Sequence, residues 1–179
     1  MKRPCRPGRL TDLRALTALE ALCFEHPGER FHRRQIRGLL LNPRAGVFVI
    51  RRGGAPAGWA AGLVRRARGR CAGRLYALAV HPDYRGRGFG LRLAKAVLED
   101  LRRRGARTVS LEVRADNRAA RRLYEGLGFI AAGALPDYYG PGLHGLRMRR
   151  PATTFRTRAA ATSGARRSAT GRPAGGRRR

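Results

Sequence analysis

Acidic residues are scarce in this chain of 179 residues: 11 Asp+Glu stand against 40 Lys+Arg, a formal charge of +29. Lysine is nearly absent as well, because only Lys2 and Lys95 are lysines and the other basic residues are arginines. Such a balance fits an anionic partner such as RNA, a ribosome or a nucleotide cofactor, or a codon bias toward Arg, Ala, Gly and Pro. Cysteine is limited to Cys5, Cys23 and Cys71, an odd number with no CxxC spacing. That argues against a disulfide framework and suits reduced thiols in a cytoplasmic protein. His26, His32, His81 and His144 show no HxxxH or HxxE grouping, so no metal site is expected. No apolar run approaches the ~18 residues that a membrane helix needs, and the N-terminus lacks an apolar core of signal-peptide type. Neither a membrane contact nor a secretory leader is expected.

What remains is enough for one domain with a real core. The segment 151–179, PATTFRTRAAATSGARRSATGRPAGGRRR, has no acidic residue, one aromatic and no helical or strand period. It cannot bury enough apolar surface to offset its ordering entropy, so it reads as a disordered basic tail on a domain spanning 1–150. Loose electrostatic contact with nucleic acid or a ribosome is the one role its composition offers.

Residues 1–150 alternate helix and strand signals. Thr11 caps a helix running to about Phe24, with Leu13, Leu16, Leu19 and Leu22 along it. A second helix spans His32–Leu41 and stops at Asn42-Pro43. GVFVI at 46–50, a turn at 51–54 and Gly58–Arg65 form a hairpin. RLYALAV at 74–80 is apolar on both faces and reads as a covered central strand. Leu91, Ala94, Val97, Leu98 and Leu101 mark a helix over 91–104 that Gly105 ends. TVSLEV at 108–113 is another strand, Asn117 caps a further helix, and 129–134 and 143–149 complete the sheet. The fold class is therefore mixed α/β (α+β).

Between the central strand and its helix lies HPDYRGRGFG, 81–90. A glycine-rich loop that leaves a buried strand and opens a helix aims main-chain N–H groups at one point, a ready anion site. A P-loop requires GxxxxGK followed by Ser or Thr, which is absent. A Rossmann fingerprint requires a third glycine where Leu91 stands. What is present is Arg-x-x-Gly-x-Gly, at Arg85, Gly88 and Gly90.

That pattern resembles the acetyl-CoA pyrophosphate motif of the GNAT N-acetyltransferase superfamily. RLYALAVHPDYRGRGFG together with LEVRADNRAARRLYEGLGF resembles, more narrowly, the ribosomal-protein-alanine N-acetyltransferases, strongly over 74–130 and loosely over 10–150. The resemblance implies a central sheet of six to seven strands flanked by about four helices. It implies acetyl-CoA as co-substrate and no metal. Leu78, Ala79 and Val80 would offer main-chain groups to the pantetheine and thioester carbonyl. Arg85, Gly86, Arg87, Gly88, Phe89, Gly90 and Leu91 would hold the pyrophosphate, and Asn117 would meet the pantetheine arm. Tyr138 and Tyr139 match a tyrosine pair beside the acceptor groove. Gly140-Pro141-Gly142 and the strongly basic stretch ALCFEHPGERFHRRQIRGLL depart from the family where acceptor choice is set.

Acetyl transfer to an amine needs a neutral amine, donors for the oxyanion and a proton for the leaving thiolate. Glu112 sits mid-strand on the face opposite Val109, Leu111 and Val113, where a carboxylate is costly unless it is paired or functional. Its two readings are a salt bridge to one of the arginines or, by the resemblance, a base acting through water. Tyr124 lies on an apolar helix face, and its two readings are core packing or the acid that protonates the thiolate. No Cys-His-Asp grouping suggests a covalent route, so direct attack is expected. A protein α-amine titrates near ~8 and a lysine near ~10.4, so neutralising lysine costs about 3 kcal/mol more at neutral pH. This favours a protein or peptide N-terminus as acceptor, with a lysine or small amine as the alternative. The rival of another class is a basic RNA- or ribosome-binding protein. It would call for aromatic platforms or an RNA motif, and the sequence has neither.

Overall fold

The computed structural model describes residues 5–152. Seven strands form one sheet in the order β1-β2-β3-β4-β5-β7-β6. They are β1 (Arg6–Pro7), β2 (Ala45–Arg52), β3 (Ala55–Ala67), β4 (Arg70–Val80), β5 (Thr108–Arg114), β6 (Ile130–Leu135) and β7 (Gly145–Pro151). Four helices flank it: α1 (Leu13–Cys23), α2 (Arg33–Leu41), α3 (Phe89–Arg103) and α4 (Arg118–Gly126). Only the β4–β5 pair is parallel, and α3 supplies its crossover.

Strands β2 to β4 are buried on both faces. On one face, Leu93, Val97 and Leu101 of α3 pack with Leu75, Val109, Leu111 and Phe129. On the other, Leu16, Leu19 and Ile36 pack with Val49, Trp59 and Ala77. Trp59 is fully enclosed there, and its indole donates to Glu20 Oε1 at 2.8 Å. Leu22 ends the leucine series of α1 in solvent, 61% exposed. Steps of three residues fall about 60° short of a full turn, so three steps carry Leu22 to the side opposite Leu13.

Two differences from the sequence reading concern extent. The two-residue β1 has no periodicity by which to be found. Strand β7 continues through Pro151, and the N–H of buried Ala152 donates to Arg107 O at 2.8 Å. The folded unit thus runs two residues beyond the boundary at 150, and the rest of the tail expected over 151–179 lies outside the described residues.

One feature of the sheet creates the site. Strands β4 and β5 pair at Ala72↔Thr108, Gly73↔Val109 and Arg74↔Ser110 only, although both strands continue well beyond. A register shift in the β3–β4 ladder leaves Tyr76 as an extra residue between Leu75 and Ala77. Such a bulge bends its strand and raises its twist, so β4 turns away from β5 and a wedge opens.

Candidate active site

The wedge widens into a cleft of about 990 Å³, reached by the ends of β4 and β5, the loop before α3, the α1–α2 loop and the segment around Tyr138. The glycine-rich loop forms one wall. Gly88 is the N-cap of α3 with φ 75°, and Gly86 has φ 72°, both in the left-handed region. No other atom lies within contact of a side chain placed at either. The glycines are there for backbone shape and access. The first amides of α3 have no acceptor within the helix and open on this wall, at its positive end.

Of the residues assigned to the cofactor, Leu78, Ala79, Val80, Arg85, Gly86, Gly88, Phe89, Gly90, Leu91 and Asn117 line the cleft, and Arg87 does not. Arg87 instead lies 5.6 Å over the Tyr84 ring. Arg85 lines the cleft, but its guanidinium bonds carbonyl oxygens, Nε to Val80 and Nη2 to Cys23, both at 3.2 Å. It ties the end of β4 to the end of α1. The Phe89 side chain is core, tilted against Tyr84 at 5.7 Å, so only its backbone is free for a ligand. Asn117 caps α4, with Oδ1 accepting from Ala120 N at 3.0 Å.

Glu112 and Tyr124 reach the cleft from opposite faces of the sheet. Val113 and Leu111 pack on the α3–α4 side with Tyr124, so alternation turns Glu112 to the other side. Tyr124 is buried, edge-on to Phe129 at 5.9 Å, and burial pushes its phenol well above the ordinary range. Among the described residues nothing hydrogen-bonds its hydroxyl. The Glu112 side chain is 7% exposed and both its oxygens are held: Oε2 by Arg74 Nη2 at 2.6 Å, Oε1 by Arg147 Nε at 3.2 Å. The salt-bridge reading of this residue is thus present in the geometry, with two arginines rather than one. Tyr138 and Tyr139 also line the cleft, edge to face at 5.0 Å. Burial raises the Tyr139 phenol, with smaller contributions from Tyr138, Glu112 and Tyr124.

The profile of the Acetyltransferase (GNAT) family matches residues 13–129. The chain belongs to the GNAT acetyltransferase family. Its fold agrees: the crystal structure of the ribosomal-protein-S18-alanine N-acetyltransferase from Escherichia coli superposes with a TM-score of 0.70 at 26% identity, covering 87% of this chain and 97% of that one. In sequence, the E. coli ribosomal protein bS18-alanine N-acetyltransferase is 46% identical over 65 residues, 36% of this chain. That match spans less than half of the E. coli protein, 44% of its length. A Bacillus subtilis relative, provisionally given the same name, is 30% identical over 141 residues, 77% of this chain and 87% of that one. A chain of the NatC complex bound to Gag peptide and CoA shares the fold, with a TM-score of 0.73 at 23% identity over 84% of this chain and 99% of that one.

In this GNAT chain several site residues escape a reading of the sequence. Arg74 bonds Glu112, donates to the Tyr138 hydroxyl at 3.1 Å and stacks 4.7 Å over Tyr76. Arg147 faces Glu112 across the β5–β7 ladder. Arg114 joins Glu29 of the α1–α2 loop, at 3.1 Å, to Asp116. Gly28 packs against the main chain of Tyr139 so closely that a Cβ there would collide with its carbonyl oxygen. Beneath this loop, buried Glu20 accepts from Phe31 N at 2.7 Å and from Trp59, and desolvation pushes its carboxyl up to about 7. The contacts of Arg74 and Arg147 with Glu112, of Arg114 with Glu29, of Gly28 with Tyr139 and of Glu20 with Trp59 join segments far apart in sequence. The one local hint was an arginine beside an apolar run, in a chain where arginines are everywhere.

Proposed function

We propose that this protein transfers the acetyl group of acetyl-CoA to the α-amine of a protein N-terminus, by direct attack, with Glu112 as base through water and Tyr124 as acid. The observation that carries this reading is the entry of Glu112 and Tyr124 into one cleft from opposite faces of the sheet, beside a loop that offers main-chain N–H groups to a pyrophosphate. The amine approaches on the Glu112 side, attacks the thioester carbon, and passes its proton toward the carboxylate. The carbon–sulfur bond then breaks, and the Tyr124 hydroxyl supplies a proton to the departing thiolate. Among the described residues the Tyr124 hydroxyl has no competing partner, so it is free to meet the departing thiolate.

A covalent route through cysteine is disfavoured. Cys23 lines the cleft, but its thiol donates to Val80 O at 3.3 Å and burial pushes it up to about 11. At neutral pH it is a protonated thiol and a poor nucleophile. The α-amine is favoured over lysine because it is partly neutral at physiological pH, so a relayed proton transfer to one carboxylate suffices. Contact of the basic tail with nucleic acid would be additional to this activity.

The test is acetyl-CoA turnover with short N-terminal peptides. Glu112→Gln and Tyr124→Phe should each lower kcat by about 10²-fold, the usual size of general acid–base assistance. Unchanged kcat in either variant removes that residue from the mechanism. No turnover of any amine, together with tight RNA binding, would leave the nucleic-acid-binding reading in its place.

A further inference from the structure

The face of β5 and β7 that carries Glu112 is unusual in its charge. Arg147 and Arg149 alternate with the inward-facing Met148, so both project from the same face as Glu112. Arg74 reaches that carboxylate from β4. Two guanidinium groups therefore hold this one acid, and a third, Arg149, follows two residues along β7, opposite Ser110. Arg149 is exposed and has no ion-pair or hydrogen-bond partner among the described residues. The Arg147 side chain is 47% exposed and uses only Nε on Glu112, which leaves its terminal nitrogens open. Arg74 Nε is buried with no acceptor.

The nearby acids do not offset this excess. Glu29 and Asp116 are both engaged by Arg114. Asp137 is spent on its own turn, accepting from Gly142 N at 2.7 Å and lying 3.5 Å from His144 Nδ1. Glu25 lies on the opposite wall, in the α1–α2 loop. Arg147 and Arg149 stand on β7 beside Glu112 and Ser110, just outside the lining of the cleft, so a peptide that leaves the amine site along β5 and β7 passes both. An extended peptide repeats its side-chain direction every two residues, about 7 Å, the same repeat that separates Arg147 from Arg149. Arginine forks match carboxylates in geometry as well as in charge.

We infer that Arg147 and Arg149, assisted by Arg74, select acceptor N-termini that carry Asp or Glu within the first few residues after the acetylated one. This rests on the α-amine reading above and adds the chemical class of the acceptor. The cluster would repel N-termini rich in Lys or Arg by the same charges.

The experiment compares three peptides that share an N-terminal Ala and differ only at positions two to four: Glu-rich, Gln-rich and Arg-rich. With the full chain at low salt, kcat/KM should fall in that order, by about fivefold for each acidic residue that meets an arginine at an exposed site. The order should compress in 0.5 M salt, added as a probe at roughly three times the ionic strength of cells. Arg149→Glu, and Arg147→Glu combined with it, should reverse the order. Circular dichroism and acetyl-CoA affinity of the variants show whether each is folded. Equal kcat/KM for all three peptides, or a preference for the Arg-rich one, overturns the inference while leaving N-terminal acetylation in place. No turnover of any peptide overturns the α-amine reading, and this inference with it.

Discussion

Where the loop before α3 lines the cleft, it does so with main chain: left-handed glycines, the first amides of a helix and the carbonyl edge of β4. Where β5, the segment around Tyr138 and the α1–α2 loop line it, the contacts are side chains: Glu112 between two arginines, Glu29 and Asp116 on Arg114, two crossed tyrosines. The first wall depends on backbone shape and tolerates almost any surrounding composition. The second depends on which charges stand opposite which, and here an arginine-rich composition changes the chemistry. One half of the site therefore follows from backbone geometry and the other from the arrangement of charged side chains.

Variants can break that contrast, and the largest effect belongs to the main-chain wall. Gly88→Glu puts a side chain on a left-handed residue and a negative charge where a pyrophosphate would lie, so acetyl-CoA affinity should fall by more than about 100-fold. Because open space surrounds the position, the far-UV spectrum should stay the same. Retained affinity in a calorimetric titration would show that this wall does not hold the cofactor.

On the side-chain wall, Gly28→Ala should force apart the two segments that meet at Tyr139. We expect KM for a peptide acceptor to rise by about tenfold, in line with a misplacement of an ångström at a binding surface. KM for acetyl-CoA should hardly move. A parallel rise in both would mean that the walls are not separable.

A smaller effect concerns the support beneath the α1–α2 loop. Glu20 has its carboxyl raised to about 7, so the folded state binds that proton more tightly than the unfolded state. Its contribution to stability is complete below the ordinary value of 4.5 and is lost as the pH rises through 7. Melting temperature should therefore decline between pH 5 and 8 by a few degrees more in the wild type than in Glu20→Gln. The same slope in both would place the titration elsewhere. Smallest of all, truncation after Ala152 should leave peptide kinetics unchanged within about twofold, since every residue that lines the cleft precedes it. A large loss would bring 153–179 into the machinery.

These contrasts track what a single chain reveals of itself. The long helices and strands were legible because Ala94, Val97, Leu98 and Leu101, or Val109, Leu111 and Val113, repeat at the period of their element, although Leu91, read into the helix series, is 38% exposed. The glycine loop was legible because its neighbours along the chain are also its neighbours in space. Glu112 stood out as a carboxylate in mid-strand, but its expected role, like that of Tyr124, came only through resemblance to a family motif. Arg74, Arg147 and the contact of Gly28 with Tyr139 stayed hidden because strand pairing and loop packing bring them together. Arg85 adds a contact that the motif does not announce: besides lining the cleft, it holds the carbonyl oxygens of Val80 and Cys23.

The short β4–β5 ladder has one more consequence. A sheet ordinarily keeps its unsatisfied edges at its rim, where they invite other chains. Here two edges face each other inside the molecule, with the peptide groups of β4 beyond Arg74 on one side and those of β5 beyond Ser110 on the other. An amide-bearing ligand lying in the wedge could act as the missing strand between them. Hydrogen exchange at those inward-facing amides should then slow on ligand binding, while the outer ladders with β3 and β7 keep the protection they already have.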